Sequence, residues 1–313
     1  MICLTVLLTL AGTGLSVAQF SLYEEEFHPS PWHRTWAAFR ASHIAFIGLV
    51  LLGCFVTFSI FAPLLAPYSH LEQNIDGLLI APSWQSSGSI THFFGTDALG
   101  RDLFSRIIYG CRTTLGAGFI TVVLALLVGV SIGTIAGMLS GVRSSIVNHL
   151  LDALMAIPTL LIAIIIVAIL GTGLVNSMWA ITLALIPQFV HNTRSFVRNE
   201  MKKQYILASR LDGASHWQIF VHSILPNMTE MLVVQGSLAL SIAVIDVSAL
   251  GFLNLGAQAP VPELGAILAE GLDVAYMAPW NVALPGITIF LMVLSINIVG
   301  DGLRSALRKR VTH

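Results

Sequence analysis

The stretch RLDGASHWQIFVHSILPN, residues 210–227, separates two long apolar runs. It carries charges, histidines, a glycine and a proline, although only 10% of the 313 residues are charged. Ser215 and Gln218 have the spacing of a capping box, in which a hydroxyl and an amide satisfy the exposed backbone donors of a helix start. We therefore predict a short helix that begins directly after Ser215. Gly213 should end the preceding helix, and Pro226 should stop the short helix before the next apolar run.

This short helix also carries apolar side chains, namely Trp217, Ile219, Phe220 and Ile224. A helix that leaves the membrane must bury such side chains somewhere. The bilayer surface is one possibility, and a groove on a soluble partner is the other.

The rest of the chain is strongly apolar, with 56% hydrophobic residues and a mean hydropathy of +0.84. Soluble domains have about 45–50% apolar residues, and a membrane span needs about 20 of them in succession. We predict an all-α, polytopic membrane domain over residues 44–310, preceded by a lead-in segment over 1–43. Its six predicted spans are 44–66, 115–138, 149–170, 178–197, 229–253 and 281–303.

The basic residues predict the orientation of these spans. All but three of the 15 lysines and arginines fall on the side that holds both termini, the exceptions being Arg101, Arg106 and Arg112. Because cytoplasmic loops are enriched in Lys and Arg, we place both termini in the cytoplasm. The segment 198–228, called the connector below, is placed there as well.

The first twenty residues, MICLTVLLTLAGTGLSVAQF, conflict with this orientation. They have an apolar core and end in a cleavage-like S-V-A, but they lack the basic start of a secretory signal. Cleavage would also leave the new terminus outside. We expect residues 1–21 to reflect an upstream start assignment, with translation beginning near residue 22, or else to form an extra helix.

Three further patterns concern the spans. Four glycines spaced four residues apart predict close helix packing, within this bundle, against a partner permease or along a sliding surface; they are Gly129, Gly133, Gly137 and Gly141. Pro158 predicts a kink in the third span. Residues 93–115 predict an amphipathic helix on the outer surface, with Asp97 capping its first turn.

Acidic residues suggest a route for cargo. Asp246 is an ionisable residue within the fifth span, and such residues mark substrate pathways. Seven acids fall on the outer side and predict a mouth that attracts cations, unless they form local ion pairs with Arg101 and Arg106; they are Glu72, Asp76, Asp97, Asp102, Glu263, Glu270 and Asp273.

Several function classes are disfavoured. Three cysteines far apart predict neither a disulfide framework nor a metal site, and a net charge of −1 gives no support to nucleic-acid binding. No lysine follows a glycine, so a phosphate-binding Walker A loop is missing. The spans separate Asp152 and Asp301 from Asp246, so we predict no catalytic carboxylate pair and no bound cofactor. An ion-driven secondary transporter stays an alternative, because Pro187 interrupts the fourth span.

The connector resembles the EAA loop of permease subunits in ABC importers, in which a glycine precedes I-L-P at a fixed distance. The residues that match the fuller form of this motif are Tyr205, Ala208, Arg210, Gly213, Ala214, Ser215, Leu225, Pro226 and Asn227. The stretches FFGTDALGRDLFSRIIYG, ALGFLNLGAQAPVPELGAIL and NIVGDGLRSAL are similar to motifs of the dipeptide and oligopeptide permease group. RLDGAS, AIPTLLIAIIIVA and APWNVALPG look most like its Sap branch, which is linked to antimicrobial-peptide resistance and polyamine movement.

This resemblance implies a type I ABC importer permease fold in the bacterial inner membrane. It implies a related second permease subunit, two cytoplasmic ATP-binding subunits that use ATP, and a periplasmic solute-binding protein. Peptides are the implied cargo, cationic antimicrobial peptides included, and putrescine export is an alternative.

Two departures from the motif matter, since its usual Glu is Leu207 here and Asp212 replaces an apolar residue. We therefore expect docking to rest on Arg210, Asp212 and the apolar side of residues 215–224. The predicted coupling residues are Arg210, Asp212, Gly213, Ala214, Ser215, Trp217, Phe220, Leu225 and Pro226.

Overall fold

The computed structural model describes residues 31–74, 77–138 and 142–311, and these ranges form helices joined by loops that contain two isolated β-bridges. The predicted all-α class is thus confirmed. The residues 1–30, Asp76 and Gly141, on which some predictions fall, lie outside the described ranges. The helices are α1 Pro31–Arg40, α2 His43–Ile60, α3 Ala62–Leu65, α4 Leu103–Met138, α5 Val142–Met155, α6 Thr159–Leu170, α7 Leu174–Glu200, α8 Gln204–Leu211, α9 His216–Ile219, α10 Leu225–Phe252, α11 Leu264–Leu272 and α12 Trp280–Val311.

Within these ranges, five helical segments are long and apolar enough to cross a bilayer. They are α2, α4, α7, the continuous segment Trp217–Phe252 and α12 up to Arg308. The end of α5, His149–Met155, and α6 are apolar enough to give a sixth crossing if they count as one span, and they are bent by 86° at their junction. The bend occurs where the sequence predicts a kink, since Pro158 directly precedes α6 and lacks the N–H that a continuous helix needs.

The second span is longer than predicted. A single helix, α4, runs for 36 residues from Leu103, so the prediction of a separate amphipathic helix over 93–115 is wrong. Its cap is also different, because the carboxylate of Asp102 accepts the Ser105 N–H at 2.8 Å. The physical reason is burial by distant residues: Leu103 and Ile107 pack with Leu264 of α11.

Two of the three outer arginines, Arg101 and Arg106, are buried in ion pairs, whereas Arg112 is exposed. Arg101 donates to Asp97 at 2.6 Å and to Glu270 at 2.5 Å. Arg106 donates to the same two carboxylates at 2.6 and 2.8 Å. Asp97, which was predicted to cap a helix, therefore holds the outer loop to α11, on which Glu270 lies.

The prediction that Pro226 ends the short helix is wrong. Helix α9 continues through a π-helical turn, Phe220–Ile224, into α10. In this turn the Leu225 N–H donates to the Phe220 carbonyl, five residues earlier. The wider turn accommodates a proline, whose ring would otherwise press on the carbonyl four residues before it.

The glycine stripe of α4 lies against α7 of the same chain. A Cβ atom on Gly129, Gly133 or Gly137 would stand 2.4, 2.7 and 2.7 Å from the Cβ atoms of Phe189, Thr193 and Val197, respectively. Real Cβ atoms do not come this close, so the two helices can approach only because these three residues have no side chain. Glycines spaced four residues apart on α4 thus contact side chains spaced four residues apart on α7.

We predict that Gly133→Ala destabilises the protein by about 1–3 kcal/mol, because the added methyl group has no room beside Thr193. Gly116→Ala on the same helix is the matched control, since a Cβ there meets nothing within 4 Å. Thermal unfolding of the purified protein in lipid nanodiscs measures the difference. Equal midpoints for the two variants would contradict the proposed close contact.

Candidate functional site

The connector is built on a small apolar core of its own. Ile206 and Ile224 are fully buried, Ile219 is 2% exposed, and all three pack with Val197 of α7 and Met228 of α10. Ile219 and Ile224 were predicted to lie on the docking side. The structure instead places them inside the chain, where they fix the connector to the two spans that flank it.

The turn between α8 and α9 follows the predicted pattern. Gly213 has a φ of +84°, which favours glycine, and it lies directly after the last residues of α8. The Ser215 N–H donates to the Gln218 Oε1 at 2.8 Å, and the Gln218 N–H donates to the Ser215 hydroxyl at 3.3 Å. This is the reciprocal capping box, and α9 begins at His216.

Large apolar side chains remain exposed around this turn. Leu211 is 89% exposed, Trp217 is 71% exposed and Leu207 is 48% exposed. The Trp217 ring lies against Phe220, with 5.7 Å between the ring centroids. Exposed apolar groups of this size on a folded turn are typical of a surface that a partner or the bilayer covers.

The other predicted coupling residues divide by exposure. Arg210, Asp212, Gly213, Ser215 and Pro226 are exposed, while Ala214, Phe220 and Leu225 are half-buried. The exposed set surrounds the apolar residues on the α8–α9 turn. Pro226 lies apart from it, at the start of α10.

A buried carboxylate joins the connector to both flanking spans. Glu200, at the end of α7, is 3% exposed. It accepts hydrogen bonds from the Tyr205 hydroxyl, from Lys203 Nζ at 2.9 Å and from Asn227 Nδ2 at 3.4 Å. Asn227 also donates to the Tyr205 hydroxyl at 3.1 Å. This Glu200 clasp connects the end of α7, the start of α8 and the first turn of α10.

The Glu200 clasp raises the pKa of the Tyr205 phenol. Burial, and then the hydrogen bond to Glu200, raise this pKa above its usual value. A phenol is protonated at neutral pH in any case, and the raised pKa keeps Tyr205 a donor to Glu200 at higher pH as well. Sequence reasoning missed Glu200, although Tyr205 and Asn227, its partners, were both recognised as parts of the motif.

Asp246 lies inside the helix bundle. It is 4% exposed and shares a side-chain hydrogen bond with Thr159, the first residue of α6. Its Oδ2 atom has no hydrogen-bond partner among the described residues. Asp246 thus connects α10 to the bend of the third span.

Most of the described outer acids serve the protein's own structure. Asp97 and Glu270 pair with arginines, Asp102 binds His92 at 3.0 Å, and Glu263 is fully buried. Burial raises the pKa of Glu263, and its Oε1 accepts a hydrogen bond from the Thr114 hydroxyl at 2.8 Å. Ion pairs with arginines thus neutralise two of the six described outer acids, and burial removes Glu263 from the surface.

No group of three His, Cys, Asp or Glu side chains that could hold a metal ion occurs in the part of the chain that the structure describes. Cys54 is exposed and Cys111 is buried, and both are free thiols.

Comparisons with known proteins give two family matches. Residues 129–313 match the family described as the binding-protein-dependent transport system inner membrane component. Residues 30–82 match the N-terminal TM domain of oligopeptide transport permease C.

Relatives along nearly the whole chain include two permeases. The peptide transport system permease protein SapC of Salmonella typhimurium is 44% identical over 287 residues, which are 92% of this chain and 97% of the relative. The di/tripeptide transport system permease protein DppC of Pseudomonas aeruginosa is 44% identical over 286 residues, covering 91% and 94% of the two chains.

The fold agrees with a solved structure of the MetNI methionine ABC transporter. The TM-score is 0.52 at 19% identity, with 66% of this chain and 97% of that chain covered, so the likeness supports the type I importer fold alone. The family resemblance stated from the motifs is confirmed by these matches. The chain belongs to the family of binding-protein-dependent transport system inner membrane components, as a permease of the peptide ABC transporter branch.

Proposed function

We propose that the chain is the membrane-spanning half-channel of an ATP-driven peptide importer and that its connector docks on a separate ATPase subunit. The observation that carries this proposal is the exposed apolar turn at Leu211 and Trp217 on a rigid, buried frame. A groove on the ATPase would cover these side chains, in the helix-in-groove mode of recognition.

The frame explains how such docking would move the spans. The Glu200 clasp and the buried isoleucines attach the connector to α7 and α10. A displacement of the docked turn would therefore be passed to both spans, and a two-state cavity would open to one side or the other.

The proposed partners are those that the resemblance to ABC importer permeases implies, and the family description supports a binding protein among them. They are a related second permease, two cytoplasmic ATP-binding subunits, a periplasmic solute-binding protein and the surrounding lipid. ATP is used by the partner subunits, and this chain binds no cofactor and catalyses no reaction. We place the protein in the bacterial inner membrane with both termini in the cytoplasm, because the basic residues are concentrated on that side.

Short peptides are the proposed cargo, as the names of the relatives state for those proteins. Cationic antimicrobial peptides and putrescine would need an acidic route, and two of the outer acids, Asp97 and Glu270, are already paired with arginines. An ion-coupled secondary transporter would leave the exposed turn of the connector without a role.

Crosslinking tests the docking. We expect a photoreactive residue at Trp217 to form an adduct with a co-expressed ATPase subunit, because this ring is exposed on the connector. The same probe at Leu64, which is 82% exposed on α3, just beyond the end of α2, is the control and should capture no ATPase. Adducts of Trp217 with phospholipid alone would overturn the proposed function.

The Glu200 clasp gives a second prediction. Glu200→Ala removes the charged acceptor of three hydrogen bonds. A hydrogen bond to a charged group contributes about 1.5–3 kcal/mol. We expect ATP hydrolysis to continue while fewer peptides are transported per ATP, as measured in proteoliposomes. Asp301→Asn, an exposed acid on α12, should leave this ratio unchanged. Full coupling in the Glu200 variant would show that the clasp does not transmit motion.

Asp246 gives a third prediction. Asp246→Asn keeps a hydrogen-bonding group beside Thr159 but removes the charge. We expect the relative uptake of lysine-rich and neutral peptides to stay the same, because this carboxylate is buried inside the bundle. A selective loss of lysine-rich peptide uptake would instead assign Asp246 to a cationic pathway.

A further inference from the structure

The outer loop between α3 and α4 contains a long stretch without a single Asp, Glu, Lys or Arg. This uncharged stretch, residues 77–96, reads GLLIAPSWQSSGSITHFFGT. About a quarter of the residues in soluble domains are charged, so about five charges would be expected in a loop of this length. Its one histidine, His92, is buried and bonds to Asp102. The uncharged stretch thus differs in composition from a loop that water covers on all sides.

The same stretch exposes large apolar side chains. Ile90 is 89% exposed, Trp84 is 57% exposed and Phe93 is 54% exposed. The rings of Trp84 and Phe93, called the aromatic patch below, lie edge to face with 6.1 Å between their centroids. The turn that carries them is tight, because a Cβ on Gly88 would stand 2.0 Å from the Pro82 carbonyl oxygen. Fixed apolar groups of this kind are typical of a surface that something other than water covers.

Helices α2 and α3 give the height of the outer membrane boundary on this side of the protein. Residues 42–65 run from the cap of α2 to the end of α3, and as helix they cover about 35 Å at about 1.5 Å per residue. The hydrocarbon core of a bilayer is about 30 Å thick. Helix α3 therefore reaches the outer boundary, and its exposed Leu64 has the side chain expected of a residue that faces lipid.

Two hydrogen bonds tie the uncharged stretch to this height. The Tyr68 N–H, just after α3, donates to Ser105 Oγ of α4 at 3.2 Å. The Tyr68 hydroxyl donates to the Thr91 carbonyl at 3.0 Å. Phe104, the neighbour of Ser105, contacts Phe93 with 6.4 Å between the ring centroids. The aromatic patch therefore lies near the outer end of α3, next to the membrane boundary.

We propose that the aromatic patch and Ile90 rest on the outer leaflet of the bilayer, with Trp84 among the lipid headgroups. Tryptophan is enriched at this depth, because its ring is apolar while its N–H can bond to headgroups or water. A soluble protein fits this surface less well, since protein partners are selected by complementary charges. The exposed outer acids Glu72 and Asp273 lie outside the stretch.

This membrane contact goes beyond the proposed function and does not depend on it. It concerns the side of the protein away from the connector, and it holds for any cargo. The contact would fix the outer ends of α2 and α4 to the leaflet, because Tyr68 and Phe104 join both to the uncharged stretch.

Quenching by brominated lipid tests the contact, because bromine quenches tryptophan emission only at short range. The complete transporter is reconstituted in phospholipid brominated near the carboxyl end of its acyl chains. The emission of the wild type minus that of Trp84→Phe is the emission of Trp84. We expect most of this emission to be lost, compared with the same lipid without bromine. Full retention of the Trp84 emission would overturn the inference.

Trp217→Phe is the matched control, because it isolates an exposed tryptophan of the connector in the same way. With the ATPase subunits bound, the emission of Trp217 should be equal in the two lipids. Loss of the Trp84 emission supports the inference whatever Trp217 does. Quenching of Trp217 would count against the proposed docking on the ATPase alone.

A photoreactive residue at Ile90 identifies what covers the uncharged stretch. This side chain is almost fully exposed, so the probe leaves the packing intact. We expect adducts with phospholipid. The same probe at Leu99, which lies beside Glu270 and Asp273, should form none with phospholipid. Adducts of the Ile90 probe with the solute-binding protein or the second permease would overturn the inference and assign the stretch to a protein interface.

Discussion

The close contact between the glycine stripe of α4 and helix α7 is the constraint on which the rest of the structure depends. Helix α7 is a poor membrane helix by composition, since it contains Pro187 and a row of amides. It stays in the bundle because one side fits against a neighbour without side chains at Gly129, Gly133 and Gly137. Tight backbone contact of this kind replaces the hydrophobic driving force that lipid cannot supply.

Because α7 is held on that side, its other features gain fixed positions. Gln188, Asn192 and Asn199 of α7 line a cavity of about 560 Å³ between α7, α10 and α12. The end of the helix carries Glu200, whose clasp reaches Tyr205 and Asn227. The cavity wall, the clasp and the connector thus all depend on the position of α7, which is the basis for our proposal that docking at the connector moves the spans.

The sequence predicted features that local patterns determine. Apolar length predicted the spans, Pro158 predicted the bend, and the Ser215–Gln218 pair predicted the start of α9. It did not predict features that depend on distant partners. Glu200 and Asn227 are 27 residues apart, and Arg106 and Glu270 are 164 apart, so no local pattern connects them. Pro226 was misread for a similar reason, because the π turn is stabilised by the packing of Ile224 against other elements.

The π turn at Phe220–Ile224 has a consequence for the direction of the docking surface. An α-helix rotates by about 100° per residue. A π turn contains one extra residue, so the residues before it are rotated by about this angle relative to those after it. Ile219 and Ile224, five positions apart, therefore both point into the protein. Shortening this turn by a single residue would rotate the indole of Trp217 by more than a quarter of a circle relative to α10. The one extra residue of the π turn, close to Pro226, thus determines the direction in which the exposed side of α9 faces relative to α10.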